Sequence, residues 1–330
     1  MSLISVVVPL YNEDGNVAEL LRRVSAIMDR VTANGDTYEI VAVNDGSNDG
    51  TLAALRAAMP AHPELTIVDL SRNFGHQIAA TAGLDQARGD AIVLMDGDLQ
   101  DPPELIERFL EKWREGYDVV YATRKVRKGE SFFKLWTARL FYRTIRRLTN
   151  VSIPVDTGDF RLMSRRVVDA LGQTREKHRF LRGLVSWVGF KQTGVEYERD
   201  ARLSGETKYP FSKMLKFAVD GITSFSEIPL RFATYLGFTV SVFAFFYIAV
   251  ILVLKALHLN EPGYTSIIVS VLFLGGVQLI GIGILGEYIG RIYDQVKLRP
   301  LYLLSSVERA AAAAGSPAAE SPAAREPIAP

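Results

Sequence analysis

Asp96 and Asp98 follow the apolar run AIVLM (91–95) and are separated by Gly97. Carboxylates at i and i+2, lifted off a strand end, can reach one hard divalent cation, and the side-chain oxygen of Gln100 can add to them. Mg2+ or Mn2+ held there could in turn hold a diphosphate; a plain acidic turn is the competing reading. Asp45, in the run NDGS (44–47), could accept from a base or ribose donor, with Gly46 permitting close approach. It could equally sit in a turn whose Asp49 and Thr51 cap the next helix. Asp159 stands in DTGDFR (156–161), a Gly-marked stretch that reads as a loop. The run RLSGETKY from Arg202 through Lys208 reads as a basic loop able to close over phosphates, or as a solvated linker. His76, taken alone, is more readily structural than catalytic.

These residues need a scaffold, and the first half of the chain supplies one. Apolar, β-rich runs occur at Ile4–Leu10, Tyr38–Asn44, Leu65–Leu70, Asp90–Met95 and Tyr117–Ala122. Amphipathic segments lie between them, around Asn16–Val31, Thr51–Met59, Gln77–Ala87 and Pro103–Arg114. Near-continuous Val/Ile runs predict strands buried on both faces, hence an α/β domain with a mostly parallel sheet. In such sheets ligands bind beyond the carboxyl ends of the strands. The polar clusters YNE (11–13), NDGS (44–47) and DGD (96–98) fall there.

The remainder has a different character. Ala233–Leu254 and Thr265–Gly286 are two charge-free stretches of about 22 residues, each long enough to cross a bilayer as a helix. Arg231 precedes the first, and Arg291, Lys297 and Arg299 follow the second, so the positive-inside bias places both termini in the cytoplasm. SLISVVVPL (2–10) is too short to span and lacks a basic flank, so it reads as a strand rather than a signal peptide. Segment 131–148 combines a broad apolar stripe with Lys134, Arg139, Arg143, Arg146 and Arg147. It suits a helix lying in an anionic lipid interface, or an ordinary surface helix packed on the sheet. Segment 211–222 repeats the pattern more weakly, and the Ala/Pro-rich 310–330 reads as a disordered tail.

The expected organisation is therefore a catalytic domain over 1–210, a juxtamembrane segment over 211–230 and a membrane hairpin over 231–290. A cytoplasmic extension over 291–309 and the tail follow. Among the 330 residues, 38 Lys plus Arg balance 37 Asp plus Glu for a net charge of +1, so no basic excess argues for nucleic acid. The chain has no cysteine, which excludes thiolate metal sites, iron–sulfur clusters and cysteine nucleophiles. GIGILG (281–286) fits the dinucleotide-binding pattern but lies inside an apolar span with no preceding strand. Its glycines suit close helix packing instead, with Gly286 and Gly290 in GxxxG spacing.

Taken in order, VVVPLYNE (6–13), VNDGSNDGT (43–51), LSRNFGHQIAATAGL (70–84), LMDGDLQDPPE (94–104), DTGDFRLM (156–163) and ERDARLSGETKYPF (198–211) form a set. With TSFSEIPLR (223–231) before the spans, the chain resembles the inverting glycosyltransferases of family 2, of the GT-A fold. More narrowly it is similar to the polyprenyl-phosphate glycosyltransferases. The resemblance implies that Pro9, Tyr11, Glu13 and Asp45 hold a nucleotide's base and ribose, with Asp96 also on the nucleotide sugar. It implies that Asp96, Asp98 and Gln100 form the metal and diphosphate site for Mg2+ or Mn2+. Arg124, Arg202 and Lys208 would engage phosphates, and Asp159 would stand near the acceptor. It also implies a bacterial inner-membrane location and a homo-oligomer, as a tetramer. Asn44 departs from many members, which carry Asp there.

The expected reaction is transfer of one hexose from a nucleotide diphosphate sugar, UDP-glucose first, to polyprenyl phosphate for cell-envelope glycosylation. GDP-mannose, UDP-galactose, UDP-N-acetylglucosamine and UDP-aminoarabinose derivatives remain alternatives. A phosphate monoester is largely a dianion at pH 7, so Asp159 is expected to orient the acceptor rather than abstract a proton. A processive synthase is disfavoured because no Gln-x-x-Arg-Trp occurs. A silent nucleotide-sugar-binding scaffold is disfavoured by the joint presence of Asp96, Asp98, Arg202 and Lys208. A flippase is disfavoured because two spans enclose no path.

Overall fold

The computed structural model describes residues 1–124, 157–197, 228–257 and 263–309. The segments 131–148 and 211–222, the loop bearing Arg202 and Lys208, and the tail lie outside the described residues.

The five anticipated strands form as β1 (Leu3–Leu10), β2 (Thr37–Asn44), β3 (Leu65–Leu70), β4 (Ala91–Leu94) and β5 (Val119–Arg124). Between them lie α1 (Val17–Val31), α2 (Thr51–Ala58), α3 (His76–Gln86) and α4 (Leu105–Arg114). β3, β2, β1 and β4 are mutually parallel neighbours. Alternate residues feed two cores: Val6, Val8, Ala42 and Val93 pack with α1 and α4, while Val7, Val43 and Leu94 pack with α3. α3 is not the amphipathic helix its sequence suggested, since Ala79 through Leu84 are all buried. Its closeness to the sheet depends on Gly83, where a Cβ would stand 2.3 Å from Val7 Cγ1.

Three further strands complete the sheet. The Gly-marked stretch read as a loop is instead β6 (Thr157–Ser164), buried along its whole length. Its polar residues concealed it: Phe160 and Leu162 fill one core, while Asp159 and Arg161 are buried with charged partners. β7 is Gln192–Tyr197 and β8 is Leu304–Arg309, giving the order β7-β5-β6-β4-β1-β2-β3-β8. β8 runs antiparallel to β3, so the stretch read as an extension returns to the sheet edge. β6 runs antiparallel to β4 with Leu94 opposite Arg161. Continuing that register by two residues sets Asp96 opposite Asp159. Helices α5 (Arg165–Gln173) and α6 (Leu181–Trp187) follow β6.

The hairpin is α7 (Ile228–Ala256) and α8 (Tyr264–Val296), with 29 and 33 residues. Its apolar stretches Leu230–Leu254 and Val269–Val296 have mean hydropathies of 2.5 and 2.1, with no part of either stretch buried. Phe243, Phe246, Ile267 and Phe273 are among the side chains left on the outside. That area requires a nonaqueous neighbour, so both helices are candidate membrane spans. At 1.5 Å per residue α8 is about 50 Å long against a hydrocarbon core of about 30 Å. Its surplus lies at the C-terminal end, which carries Glu287, Arg291 and Asp294.

That end is joined to the domain. Gln295 Oε1 accepts from the Lys177 N–H at 3.0 Å, and its Nε2 donates to the Arg175 carbonyl at 3.3 Å. Asp85 takes a two-point contact from Arg175 and, at 2.8 Å, the Tyr302 hydroxyl.

Candidate active site

A cleft of about 570 Å³ opens at the carboxyl edge of the parallel strands, beside the point where β1 has β2 on one side and β4 on the other. Ligand clefts of open α/β sheets form at such switch points. Pro9, Tyr11 and Glu13 enter from the end of β1, Asp96 and Asp98 from beyond β4, and Asp159 from β6. Phe74 through Ile78 bring the start of α3, and Phe180 and Arg182 bring the start of α6.

The backbone around the cleft is constrained. Asn12, between the cleft-lining Tyr11 and Glu13, and Leu99, next to the cleft-lining Asp98, have φ of +56° and +54°, a costly region for residues with a Cβ. Gly97 lets the acidic turn lie against β1, because a Cβ there would meet Leu10 Cδ2 at 2.3 Å. The Gln100 N–H donates to Asp98 Oδ1 at 3.2 Å and helps fix the turn.

Charge divides the cleft into two sides. On the β4 side, Asp96 Oδ1 is buried without a hydrogen bond, with His76 Nε2 3.3 Å away as its charged neighbour. Burial pushes this carboxyl up to about 6; His76 opposes the shift, and Asp159, Asp101 and Asp98 add to it. On the β6 side, Asp159 is surrounded by cations and donors. Arg182 Nε donates to its Oδ1 at 2.7 Å and Gln77 Nε2 to its Oδ2 at 3.2 Å. His76 Nε2 stands 3.4 Å away and Arg161 4.0 Å away. Burial by itself would raise Asp159, but His76, Arg182 and Arg161 outweigh it and hold the carboxylate far below its usual range. Burial works against charge on His76, yet Asp159 and Asp96 leave its pKa raised. Glu13 is also raised by burial, opposed by its bond from Asn16.

The donor set suits a hard divalent cation. Glu13, Asp96, Asp98 and Asp159 face the cleft against two cationic side chains among the described residues, His76 and Arg182. An excess of carboxylates, with a buried Asp96 oxygen that no donor hydrogen-bonds, favours a bound cation and would repel a bare diphosphate. His76, Asp96 and Asp159 also bring ligand atoms within 4.8 Å of one another.

The structure brings together Pro9, Tyr11, Glu13, Asp96, Asp98 and Asp159 from the sequence-predicted set. Asp45 lies beneath the cleft instead of lining it. Its two oxygens accept the Phe74 and Gly75 N–H groups at 2.7 and 2.9 Å, which fixes the loop entering α3. The turn after it is tight: at Gly46, with φ of +61°, a Cβ would meet the Arg72 carbonyl carbon at 2.3 Å. Gln100 is buried behind the acidic turn. Arg124 ends β5, and Arg202 and Lys208 lie outside the described residues. Sequence reasoning passed over Gln77 and Arg182 and undervalued His76. The available signal was that FGHQ (74–77) follows a strand at the carboxyl edge; Arg182 had no comparable signal, because α6 is brought there only by the fold.

Residues 5–172 match the profile described as Glycosyl transferase family 2, and residues 228–292 match the GtrB C-terminal hairpin. The chain belongs to glycosyl transferase family 2. Its fold is the GT-A glycosyltransferase fold. The uncharacterized glycosyltransferase YkcC of Bacillus subtilis (strain 168) is 54% identical over 301 residues, covering 91% of this chain and 92% of that protein. The prophage bactoprenol glucosyl transferase homolog of Escherichia coli (strain K12) is 43% identical over 307 residues, covering 93% and 99%. The bactoprenol glucosyl transferase of Shigella phage SfX is 43% identical over 305 residues, covering 92% and 99%. The cleft of this family 2 glycosyltransferase therefore has an acidic turn beyond β4 and a charge-balanced wall on β6.

Proposed function

We propose that this protein transfers a single hexose from a nucleotide diphosphate sugar, UDP-glucose in the first instance, to a polyprenyl phosphate with inversion at the anomeric carbon. The acceptor is undecaprenyl phosphate, presented at the cytoplasmic face of a bacterial inner membrane. The observation that carries this reading is the acid pair Asp96/Asp98 facing Asp159 across one cleft, in a chain whose candidate membrane hairpin ends on the same domain. Similarity over nearly the full length to bactoprenol glucosyl transferases supports the lipid acceptor.

Tyr11 and Pro9 offer the flat and apolar surface for the base, with Glu13 beside them. Asp45 serves this pocket through the Phe74–Gly75 loop. Asp96 and Asp98, supported by Gln100, would hold Mg2+ or Mn2+, which supplies neutralisation of charge on the departing diphosphate. An oxygen of the acceptor phosphate forms a bond to the anomeric carbon while the bond to the donor diphosphate breaks, and the nucleoside diphosphate leaves with the electron pair. The phosphate, largely dianionic at pH 7, needs no strong base. Asp159, held as a carboxylate by its cations, orders those cations instead of accepting a proton. Arg124, Arg202 and Lys208 are assigned to the phosphates of the two substrates. Among the described residues, a Cβ added at any α8 glycine would meet nothing within 4 Å, which supports packing against further copies, as in a tetramer.

The test is the full chain in lipid nanodiscs with undecaprenyl phosphate, Mg2+ or Mn2+ and a panel of labelled nucleotide sugars, read by lipid mass. A single hexose added from UDP-glucose is expected. No lipid product with any donor would overturn the reading, and a product from another donor alone would correct the sugar.

A further inference from the structure

We propose that Arg182 is a phosphate ligand for the acceptor, the fixed cation against which the lipid phosphate docks opposite the donor's diphosphate. The proposal rests on the lipid-phosphate reading above. Arg182 is the second residue of α6 and lines the cleft, with 28% of its side chain exposed. Asp159 Oδ1 receives its Nε at 2.7 Å, which fixes the plane of the guanidinium. Asp159 is in turn held by Gln77, whose Oε1 also accepts the Leu181 N–H at 2.9 Å. One glutamine thus ties the carboxylate and the first turn of α6 together, so Arg182 is pre-positioned and not a loose surface cation.

The chemistry requires such a group. A dianionic phosphate entering a cleft lined by Glu13, Asp96, Asp98 and Asp159 meets repulsion unless a permanent cation faces it. Arginine remains charged at any working pH and presents a planar fork that matches phosphate oxygens. Arg182 enters the cleft from α6 and is bonded to Asp159 on β6, whereas the acidic turn that would serve the donor enters from beyond β4. Asp159 fits this arrangement as a counter-ion, since its two oxygens are already engaged by Arg182 and Gln77.

Steady-state transfer by the full chain in nanodiscs, with undecaprenyl phosphate and UDP-glucose varied in turn, tests the assignment. Arg182→Gln is expected to raise the KM for undecaprenyl phosphate at least tenfold, with the KM for UDP-glucose and the affinity for UDP within twofold. Arg182→Lys, which keeps the charge but loses the fork, should fall between the two. A purely structural partner of Asp159 would instead disturb UDP affinity as well, and a ligand of the donor diphosphate would move the KM for UDP-glucose. Either result, or an unchanged acceptor KM, overturns the proposal. If Arg182→Gln does not fold, as read by loss of its cooperative melting transition, the same criteria apply to Arg182→Lys. Absence of lipid product from the wild-type chain would instead remove the function on which it rests.

Discussion

Asp96 and Asp159 face each other across one strand pair, yet their surroundings have opposite electrostatic character. Asp96 has a buried oxygen without a hydrogen bond and a carboxyl pushed up to about 6 by burial. Asp159 is more enclosed still, with 7% of its side chain exposed against 29% for Asp96, but Arg182, Gln77, His76 and Arg161 satisfy it. Burial alone therefore does not set the state of a carboxylate; its partners do. The β4 wall holds negative charge in excess and so suits a cation brought from outside. The β6 wall is balanced from within and suits a rigid surface for a second substrate.

The largest effect should come from the unbalanced wall. Asp98→Ala is expected to lower transfer by roughly 10²–10³-fold, the scale of losing one electrostatic stabiliser of a transition state. Its metal-free melting temperature should stay equal or rise, because like charges have been thinned. Near-normal turnover would place the cation elsewhere, with His76, Asp96 and Asp159 the next candidates. Asp159→Asn should behave in the opposite way. It strands the buried Arg161 and its neighbour Arg182, and removing one partner from a buried ion cluster costs roughly 3 kcal/mol. A fall of roughly 6–10 °C in melting temperature is expected. An unchanged melting temperature would end the contrast between the walls.

The β4 wall was legible in the sequence because a two-carboxylate turn after a Val/Ile run is a local pattern. The β6 wall was not. β6 reads as a loop because Asp159 and Arg161 interrupt its apolar residues, and only long-range pairing makes those polar groups acceptable inside. Arg182 and Gln77 gain meaning solely by meeting Asp159 across 23 and 82 positions of chain. β8 escaped for a similar reason: LSSVER (304–309) has little apolar content, and its place depends on the exposed edge of β3. Asp45 was visible, but its bonds to the Phe74 and Gly75 amides were not, because they depend on the path of the loop entering α3.

A pH series separates the walls further. With Asp96 raised, metal-free protein should lose stability as pH rises from about 4, the ordinary carboxylate range, through about 6, where the folded group ionises. Asp159 is depressed, so its contribution is present above the ordinary carboxylate range and is lost only in acid below it. Bound Mn2+ needs Asp96 ionised, so the gain in melting temperature on adding Mn2+ should grow between pH 5 and 7.5. Scanning the full chain with and without Mn2+ at pH 5, 6 and 7.5 checks this. A gain that is flat across that range would show that Asp96 is not the titrating ligand.

The smallest expected effect concerns what supports each wall. The β4 turn is rooted in the buried sheet, whereas the segment entering α6 also leans on the end of α8 through Gln295, Lys177 and Arg175. These bonds are exposed, so each contributes modestly, about 0.5–1.5 kcal/mol at most. Gln295→Ala removes both the acceptor for the Lys177 N–H and the donor to the Arg175 carbonyl, loosening the connector that carries Arg182. Because Asp85 still ties Arg175 and Tyr302, the connector should shift without detaching. A two- to threefold rise in the KM for undecaprenyl phosphate is expected, with UDP affinity unchanged, measured in the same nanodisc assay. An equal effect on both substrates would mean that the α8 joint steadies the whole domain and that the two walls share their support.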